Sequence, residues 1–332
     1  MLCNFSFEQR SELKLVSKGA LRRGLDQAKL ALPKKLSEVE WHSISILAAR
    51  FAFRMPKPPN SPSKQTIAVA PMAVMPRQMQ MFSRKAIIEF PPSERSADYL
   101  GEVQADDTHY YYIKGDQPGR LVRASEWICT NISETVGIGA PTPAAIERID
   151  GTVVFGSRRI AGVADKAITV NYLTTPSATN LGVPASGLQS VLSSIYALDM
   201  FIQNDDRHFG NYLSVDDNGT RRLYAFDYSR ALFWRWPWQG FPKKGTIEEG
   251  FRTRPCGTIL RNLHGFDRNA ASQTLDRLSG LAPATIEGFV NQMPTDWLPA
   301  EVRSQFVGWW ASEARNARIE ELRAGIIDGT LL

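Results

Sequence analysis

The densest cluster of polar side chains lies between two apolar segments and reads NDDRHFGN over residues 204–211. Asp206 precedes Asn211 by five residues, and Asp227 ends a later predicted strand. Carboxylates crowded between apolar elements are costly unless a cation neutralises them. Phosphoryl transfer uses such a set, because one acid orients the attacking hydroxyl while an amide oxygen and a carboxylate hold Mg2+. The alternative is a hydrogen-bonded turn, in which Asp and Asn are common.

The spacing of these residues favours the metal site over the turn. Kinase catalytic loops place the hydroxyl-orienting Asp five residues before the metal-binding Asn, which is the separation of Asp206 and Asn211. Lys114 ends an earlier predicted strand, where its point charge could neutralise phosphates. Taken alone, Lys114 would be a surface charge and Glu126 a solvated helix residue. Together with the spacing, they predict a nucleotide–metal site.

Apolar periodicity predicts the elements that position these residues. Runs of aromatic and β-branched residues between turn signals predict strands at 84–90, 99–103, 109–114, 152–155, 211–215 and 222–226. Apolar residues spaced at three and four predict helices over 125–136 and 188–202, and the last 60 residues also have helical patterns. A strand-rich half followed by a helix-rich half indicates an α+β fold with two lobes. We place the lobes at 81–165 and 166–332, with a hinge near 156–166.

The first 80 residues differ in composition from the rest. Residues 1–85 carry 15 Lys and Arg against 5 Asp and Glu, and eight of the 20 prolines lie between 56 and 92. A basic, Pro-rich extension is therefore predicted over residues 1–80, either as a disordered tail or as the product of a start codon assigned too far upstream. Since no nucleic-acid-binding module accompanies the charge, nucleic acid is not an expected partner except through this basic arm.

Composition excludes several classes of protein. The chain has 332 residues, of which 43% are hydrophobic and 22% charged, unlike collagen-like, coiled-coil or wholly disordered chains. No run of about 18 apolar residues predicts a membrane span, and the first residues lack the apolar block of a secretory signal. Three widely spaced cysteines fit neither a disulfide framework nor a zinc site. We expect a cytoplasmic protein without a membrane partner.

The ordered motifs resemble those of the HipA-like kinases, which are bacterial protein serine/threonine kinases similar in fold to the phosphatidylinositol 3- and 4-kinases. The pattern NxDxHxxN of residues 204–211, with FD at 226–227, resembles the family's catalytic loop and metal-binding acid. Upstream, three segments resemble the strand of the phosphate-binding lysine, the next helix and turn, and the strand to the adenine hinge: YYIK at 111–114, SEW at 125–127 with GIxxP at 137–141, and VFGSR at 154–158. The resemblance covers roughly residues 85–330.

This resemblance implies a two-lobed protein-kinase-like fold, with a strand-rich N-lobe and a helical C-lobe. It implies transfer of the γ-phosphate of ATP, with Mg2+, to a hydroxyl group, most often Ser or Thr of a protein substrate. Because several members are toxins of toxin–antitoxin pairs, it also implies an antitoxin partner. The implied roles are hydroxyl orientation by Asp206, loop bracing by His208, Mg2+ binding by Asn211 and Asp227, phosphate binding by Lys114, and an ion pair from Glu126 to that lysine.

The sequence departs from ordinary kinases in one important feature. Residues 95–120 contain no G-x-G-x-x-G phosphate loop, and residues 98–108 are the candidate for a covering loop. Two alternatives therefore remain open. One is a phosphotransferase for a small molecule or lipid head group, and the other is a nucleotide-binding, inactive kinase relative that acts through protein interaction.

A further aromatic run, FWRWPWQGF, spans residues 233–241 just after the metal-binding acid. It could form a platform for substrate, but packing between elements is the favoured interpretation, because clustered aromatic rings usually contribute to a core. Cys3, Cys129 and Cys256 have no partner pattern for catalysis and are expected to be inert.

Overall fold

The computed structural model describes residues 83–93, 98–176, 187–217, 220–237 and 252–332. Strands dominate the first part of this region and helices the second, which confirms the α+β class. The predicted basic extension over residues 1–80 lies outside the described residues. None of the helices in the described ranges is both long and apolar enough to cross a membrane.

Five strands form a small closed barrel in the order β1-β2-β3-β5-β4. Its strands are β1 (Arg84–Phe90), β2 (Tyr99–Ala105), β3 (Tyr110–Lys114), β4 (Pro143–Glu147) and β5 (Val153–Arg158). Parallel pairing of β1 with β4 closes it, and the other pairs are antiparallel. Along β3, Tyr111 and Ile113 point into the barrel core. Because side chains alternate along a strand, Lys114 lies on the opposite face, towards the next helix.

Residues 98–108, the expected covering loop, contain strand β2. Gly101 has φ +129°, and a Cβ atom there would overlap the carbonyl oxygen of Phe90 in β1. Glycine therefore permits β1 and β2 to pair closely here, at a point where the register of β2 against β3 is irregular. The expectation of a covering loop at 98–108 was wrong, since most of this segment belongs to β2. The connection between β1 and β2 is residues 91–98, of which 94–97 lie outside the described ranges.

Helix α1 (Val122–Thr135) joins the barrel to the helical part of the chain. It begins three residues earlier than the apolar pattern predicts, and Asp116 accepts a hydrogen bond from the backbone N–H of Arg123 near its start, at 2.8 Å. Its apolar face is buried, and the indole N–H of Trp127 donates to the carbonyl of Phe289 at 2.9 Å. The helix ends before Gly137, whose φ of +85° suits glycine.

The larger core lies among the helices that follow. These are α2 (Lys166–Thr174), α3 (Leu188–Phe201), α4 (Thr253–His264), α5 (Arg268–Gly280), α6 (Pro283–Gln292), α7 (Ala300–Trp310) and α8 (Glu313–Ile327). An antiparallel hairpin of β6 (Tyr212–Asp217) and β7 (Thr220–Ala225) follows α3. Helix α3 is buried along most of its length. Val191 follows the apolar spacing of this helix, but it is 37% exposed and lies outside the buried face.

The last helix stabilises the end of α3. Arg318 of α8 donates from Nε to the carbonyl of Phe201 at 2.8 Å, and from Nη2 to the carbonyl of Met200 at 3.0 Å. These carbonyls lie in the last turn of α3, where a helix has no backbone donors of its own. The hydroxyl of Tyr196, also in α3, donates to the carbonyl of Leu331. The backbone at the end of α3, where the polar segment starts, is therefore held in place by the C-terminal part of the chain.

Candidate active site

A buried ion pair lies beneath the polar segment that follows α3. Arg207 donates from Nε and Nη2 to the two carboxylate oxygens of Asp199, at 2.7 and 2.9 Å, and the two side chains are 2% and 1% exposed. Although burial by itself lowers the pKa of an arginine, the Asp199 carboxylate raises the pKa of Arg207 well above its ordinary value. The guanidinium is therefore a permanent charge in the core.

Arg207 also connects two distant parts of the backbone. Its Nη1 donates to the carbonyl of Asn211 at 2.8 Å and to the carbonyl of Phe226 at 2.5 Å. The N–H of Phe226 in turn donates to the carbonyl of Asn211 at 3.3 Å. Since Asp227 follows Phe226 directly, this arrangement holds the backbone of Asn211 beside that of Asp227. No role for Asp199 or Arg207 was predicted from the sequence. The available signal was a lone aspartate in an apolar helix, eight residues before an arginine.

The backbone around Asp206 is fixed by neighbouring polar side chains. Asn204 donates from its amide to Asp199 at 2.9 Å and accepts from the N–H of Asp206 at 3.2 Å. The hydroxyl of Thr253, at the start of α4, donates to the carbonyl of Asn204 and accepts from the N–H of Arg207 at 3.0 Å. These contacts fix the backbone on both sides of Asp206, whose side chain is 20% exposed and has one buried carboxylate oxygen, Oδ1.

Lys114 lies among three carboxylates. Its Nζ is 2.5 Å from Glu126 Oε1, 2.7 Å from Asp227 Oδ1 and 3.8 Å from Asp98 Oδ2. Burial opposes the charged form, but the carboxylates outweigh it and raise the pKa of Lys114 above its ordinary value. The structure thus brings together Lys114 of β3, Glu126 of α1 and Asp227 after β7. Asp98 was missed, because nothing in its local sequence distinguishes it from a loop aspartate.

The same cluster perturbs its two nearest acids in opposite directions. Burial, with the nearby charge of Asp227, raises the pKa of Glu126 despite the contact with Lys114. Burial also opposes ionisation of Asp227, but Lys114 outweighs it and lowers the pKa of Asp227 below its usual range. Asp227 is therefore a carboxylate at neutral pH. The Ser229 hydroxyl also donates to Asp227 at 2.8 Å, and it contacts the same oxygen atom, Oδ1, that pairs with Lys114.

Asp227 adopts a backbone conformation that residues other than glycine rarely occupy, with φ +64°. Such strain persists where surrounding contacts determine the conformation, and it is common at functional sites. Here the ion pair with Lys114 and the bond between Arg207 and Phe226 supply those contacts. The Asp227 side chain remains 31% exposed, so part of it is accessible to solvent.

Asn211 and Asp227 are the two residues that could hold a divalent cation. Asn211 donates from Nδ2 to the carbonyl of Asp206 at 2.9 Å, so its Oδ1 is the atom with the chemistry to coordinate a metal. A hard cation such as Mg2+ prefers oxygen ligands of this kind and usually keeps waters or substrate phosphates in its shell. Within the described ranges, no three His, Cys, Asp or Glu side chains form a metal cage. The donors fit a metal shared with a nucleotide.

His208 makes a hydrogen bond within its own loop. Its Nδ1 accepts a hydrogen bond from the N–H of Gly210 at 3.0 Å, within the turn that carries Asn211. Burial lowers the pKa of His208, and the charges of Arg252 and Lys166 add to this effect against those of Asp206 and Asp227. The imidazole is therefore neutral near pH 7, and it serves the loop as an internal acceptor.

The aromatic run has two kinds of side chain. Trp236 packs against the rings of Phe233, Phe306 and Trp309, at centroid distances of 6.0, 5.6 and 5.9 Å, as the packing interpretation expects. Trp234 does not join this cluster. Its ring lies instead beneath guanidinium groups, and Trp238 falls outside the described residues. Of the three cysteines, the structure describes Cys129 and Cys256, and both are buried.

The family model described as HipA-like kinase matches residues 99–306, which is more than half of the chain. The chain therefore belongs to the family of HipA-like kinases, as its motifs predicted. No curated protein matches the sequence significantly.

Three solved structures are similar to this chain at low sequence identity. The Helicobacter pylori proinflammatory kinase CtkA matches with 12% identity and a TM-score of 0.48, covering 73% of this chain and 97% of CtkA. HipA of Shewanella oneidensis MR-1, solved with HipB and operator DNA, matches with 12% identity and a TM-score of 0.42, covering 77% and 76%. A Golgi casein kinase with Mn and ADP bound matches with 11% identity and a TM-score of 0.38, covering 75% and 72%.

Proposed function

We propose that this HipA-like kinase transfers the γ-phosphate of ATP, with Mg2+, to a serine or threonine hydroxyl of a protein. One observation carries the proposal. The ion-paired Lys114 lies 2.7 Å from Asp227, whose backbone is linked through Arg207 to the loop that contains Asp206 and Asn211. A phosphate-binding cation, two metal-binding oxygens and a hydroxyl-orienting acid are thereby collected from three separate parts of the chain.

The proposed roles follow from the charge of each group. Lys114 would neutralise nucleotide phosphates, and Glu126 would keep its ammonium in place from α1. Asn211 and Asp227 would hold Mg2+, which supplies neutralisation of the phosphate charge when bound. Ligand binding must then compete with the contact between Lys114 and Asp227. The proposed N-lobe is residues 81–165 and contains the barrel and α1. The proposed C-lobe is residues 166–332.

The transfer step assigns a role to Asp206. The acceptor oxygen attacks the γ-phosphorus, the bond from that phosphorus to the β–γ bridging oxygen breaks, and ADP leaves. The proton of the hydroxyl passes to the Asp206 carboxylate as the new O–P bond forms. Asp206 suits this role because its peptide is held on both sides, by Asn204 and Thr253, while its side chain stays partly exposed, at 20%.

An antitoxin is a further proposed partner. The HipA of Shewanella oneidensis was solved with HipB and operator DNA. By analogy within the family, a small DNA-binding protein is the candidate partner for this chain. Copurification of the chain with the products of its adjacent genes tests this part of the proposal, and a monomeric, DNA-free kinase would contradict it.

The kinase proposal is tested with labelled ATP. The purified chain, with and without residues 1–71, is incubated with Mg2+ and γ-labelled ATP beside Asp206→Ala and Asp227→Ala. The matched control is Asp217→Ala, whose carboxylate lies at the tip of the β6–β7 hairpin and is 45% exposed. We expect label on protein for the wild type and the control, and none for the two site variants.

Other outcomes separate the alternatives. Label on a small molecule or lipid head group, identified by mass spectrometry, would replace the protein acceptor with the second candidate. Absence of label, with a rise in melting temperature on adding Mg-ATP, would indicate a nucleotide-binding relative without transfer activity. Absence of both effects would contradict the nucleotide site.

A further inference from the structure

Two exposed arginines flank the carboxylate of Asp206. Arg230 Nε lies 3.5 Å from Oδ2, and Arg252 Nη1 lies 3.3 Å from Oδ1. The two arginine side chains are 46% and 62% exposed, whereas that of Asp206 is 20% exposed. Each guanidinium carries five N–H donors in a planar fork. One carboxylate cannot satisfy both, so each arginine retains donors that face solvent.

Arg230 is held in position by an aromatic ring. Its guanidinium carbon lies over the ring of Trp234 at 5.3 Å, and that of Arg120 lies over the same ring at 4.3 Å. Arg120 also donates from Nη1 to the carbonyl of Trp234 at 2.5 Å. An arginine stacked in this way has lost part of its side-chain freedom before a ligand arrives, which favours binding.

Cationic side chains lie near Asp206 in the part of the chain that the structure describes. Arg230 and Arg252 face Asp206, and Lys166 lies close enough to influence His208 in the same loop. The neighbouring acid, Asp205, is ion-paired with Arg235, and Asp227 is ion-paired with Lys114. Among the residues that the structure describes, Asp206 supplies the one carboxylate at ion-pair distance from these two arginines, and the surface around it favours an anionic ligand.

The position of the arginines distinguishes between two anionic ligands. Nucleotide phosphates belong beside Lys114 and the metal-binding oxygen atoms of Asn211 and Asp227. The arginines contact Asp206, which in the proposed function faces the acceptor hydroxyl. Their charge is therefore placed where the side chains next to that hydroxyl would lie.

We propose that the acceptor is an acidic segment of a protein, in which Asp or Glu flanks the phosphorylated serine or threonine and pairs with Arg230 and Arg252. This inference rests on the proposed kinase function and specifies its substrate class. Arginine binds carboxylates through two parallel hydrogen bonds, so the pair would set the register of the peptide as well as its affinity. Binding would also draw the arginines away from Asp206 and leave its carboxylate open to the hydroxyl.

The test compares three peptides that differ only beside one serine, carrying Glu, Gln or Lys at the flanking positions. The kcat/KM for each peptide and the KM for ATP are measured for the wild type, Arg230→Ala, Arg252→Ala and the double variant. Arg222→Ala is the matched control, because its side chain is also 62% exposed and pairs with a single carboxylate, Asp217, at 2.8 Å. Binding of the labelled peptides is measured in parallel by fluorescence anisotropy, which does not require transfer.

We expect the wild type to prefer the Glu peptide to the Gln peptide, and the Lys peptide to be the poorest. Each arginine contributes about 1.5- to 5-fold to this preference, the range for solvent-exposed ion pairs. The double variant should therefore show a ratio near one, with the KM for ATP unchanged and the Arg222 control like the wild type. The preference should also decrease as salt concentration rises.

Three results would overturn the inference. They are equal use of the Glu and Gln peptides by the wild type, equal losses on both peptides in the arginine variants, and a rise in the KM for ATP that accompanies the loss. The last two would show that the arginines act on Asp206 or on the nucleotide. If no peptide is phosphorylated, the kinase proposal fails, but anisotropy still decides this inference: Glu-peptide binding that is lost in the double variant supports it, and charge-independent binding contradicts it.

Discussion

The buried pair of Asp199 and Arg207 should contribute to stability and activity in separable ways. Asp199→Asn removes the charge that accepts two bonds from the guanidinium, at 2.7 and 2.9 Å, in a site where both side chains are at most 2% exposed. Removing one partner of a buried ion pair costs about 3–5 kcal/mol, because the other charge stays buried without compensation. Since about 1 kcal/mol shifts Tm by about 2–4 °C in a domain of this size, we expect Tm to fall by about 10 °C.

Arg207→Met should cost a similar amount, because it leaves the Asp199 carboxylate buried without its cation. It also removes the guanidinium donor from the carbonyls of Asn211 and Phe226, and a buried carbonyl left without a partner costs about 1–3 kcal/mol. The double variant, Asp199→Asn with Arg207→Met, contains no buried charge at this site. Its loss should therefore be smaller than the sum of the two single losses by about 2 kcal/mol, a coupling that is typical of directly contacting groups.

The assay is urea unfolding followed by tryptophan fluorescence, with phosphate transfer measured on the same samples. Asp217→Asn, which breaks an exposed ion pair with Arg222, is the control and should change stability by less than about 1 kcal/mol. We expect the double variant to recover stability but to remain inactive, because the bridge that Arg207 makes between the carbonyls of Asn211 and Phe226 is absent. Additive losses, or a double variant that retains wild-type kcat, would refute this reasoning.

Four further outcomes follow from single sites. Lys114→Met should abolish detectable transfer and raise the Kd for Mg-ATP by at least 10-fold, as measured by calorimetry, and an unchanged Kd would contradict phosphate binding by this lysine. Gly101→Ala should lower the free energy of unfolding by about 2 kcal/mol or more, because its φ is +129° and a Cβ atom would overlap the backbone of β1; Gly119→Ala, with open space around it but φ +71°, should cost less. Because burial lowers the pKa of His208, the unfolded chain binds the proton more tightly, so stability should fall as pH decreases below the ordinary value of 6.5; urea titrations should show a smaller decrease in His208→Gln. Burial raises the pKa of Cys129 above its ordinary value and that of Cys256 to about 12, so both thiols should react with a thiol reagent only after unfolding, and rapid labelling of either in the native protein would contradict their burial.

The sequence was most informative where interacting residues are close in the chain. Asp206, Asn211 and Asp227 lie within 22 residues, so their spacing alone could be compared with the needs of phosphoryl transfer. The strands around them were predicted to within a few residues, because aromatic and β-branched side chains alternate there. Their catalytic roles remain predictions, which the variants proposed above would test.

Contacts between distant residues could not be predicted in this way. The ion pairs of Lys114 with Glu126 and Asp227 join β3, α1 and the end of β7, and only the family resemblance suggested the first of them. Asp98 carries no local signal for its position near this lysine. Strand β4 was also missed, because its sequence PAAIE begins with proline and is buried without alternation. Tertiary contacts determine these features, and periodicity does not report them.

The bonds from Arg318 to the end of α3 have a consequence for protein synthesis. Every residue proposed to bind the nucleotide or the metal, or to orient the hydroxyl, precedes residue 228, whereas the arginine that holds the last carbonyls of α3 is made about 90 residues later. A nascent chain on the ribosome, or one shortened by an early stop codon, can therefore contain all of these residues and still lack the support at the end of α3. The proposed transfer activity would then appear only when α8 has left the ribosome and docked.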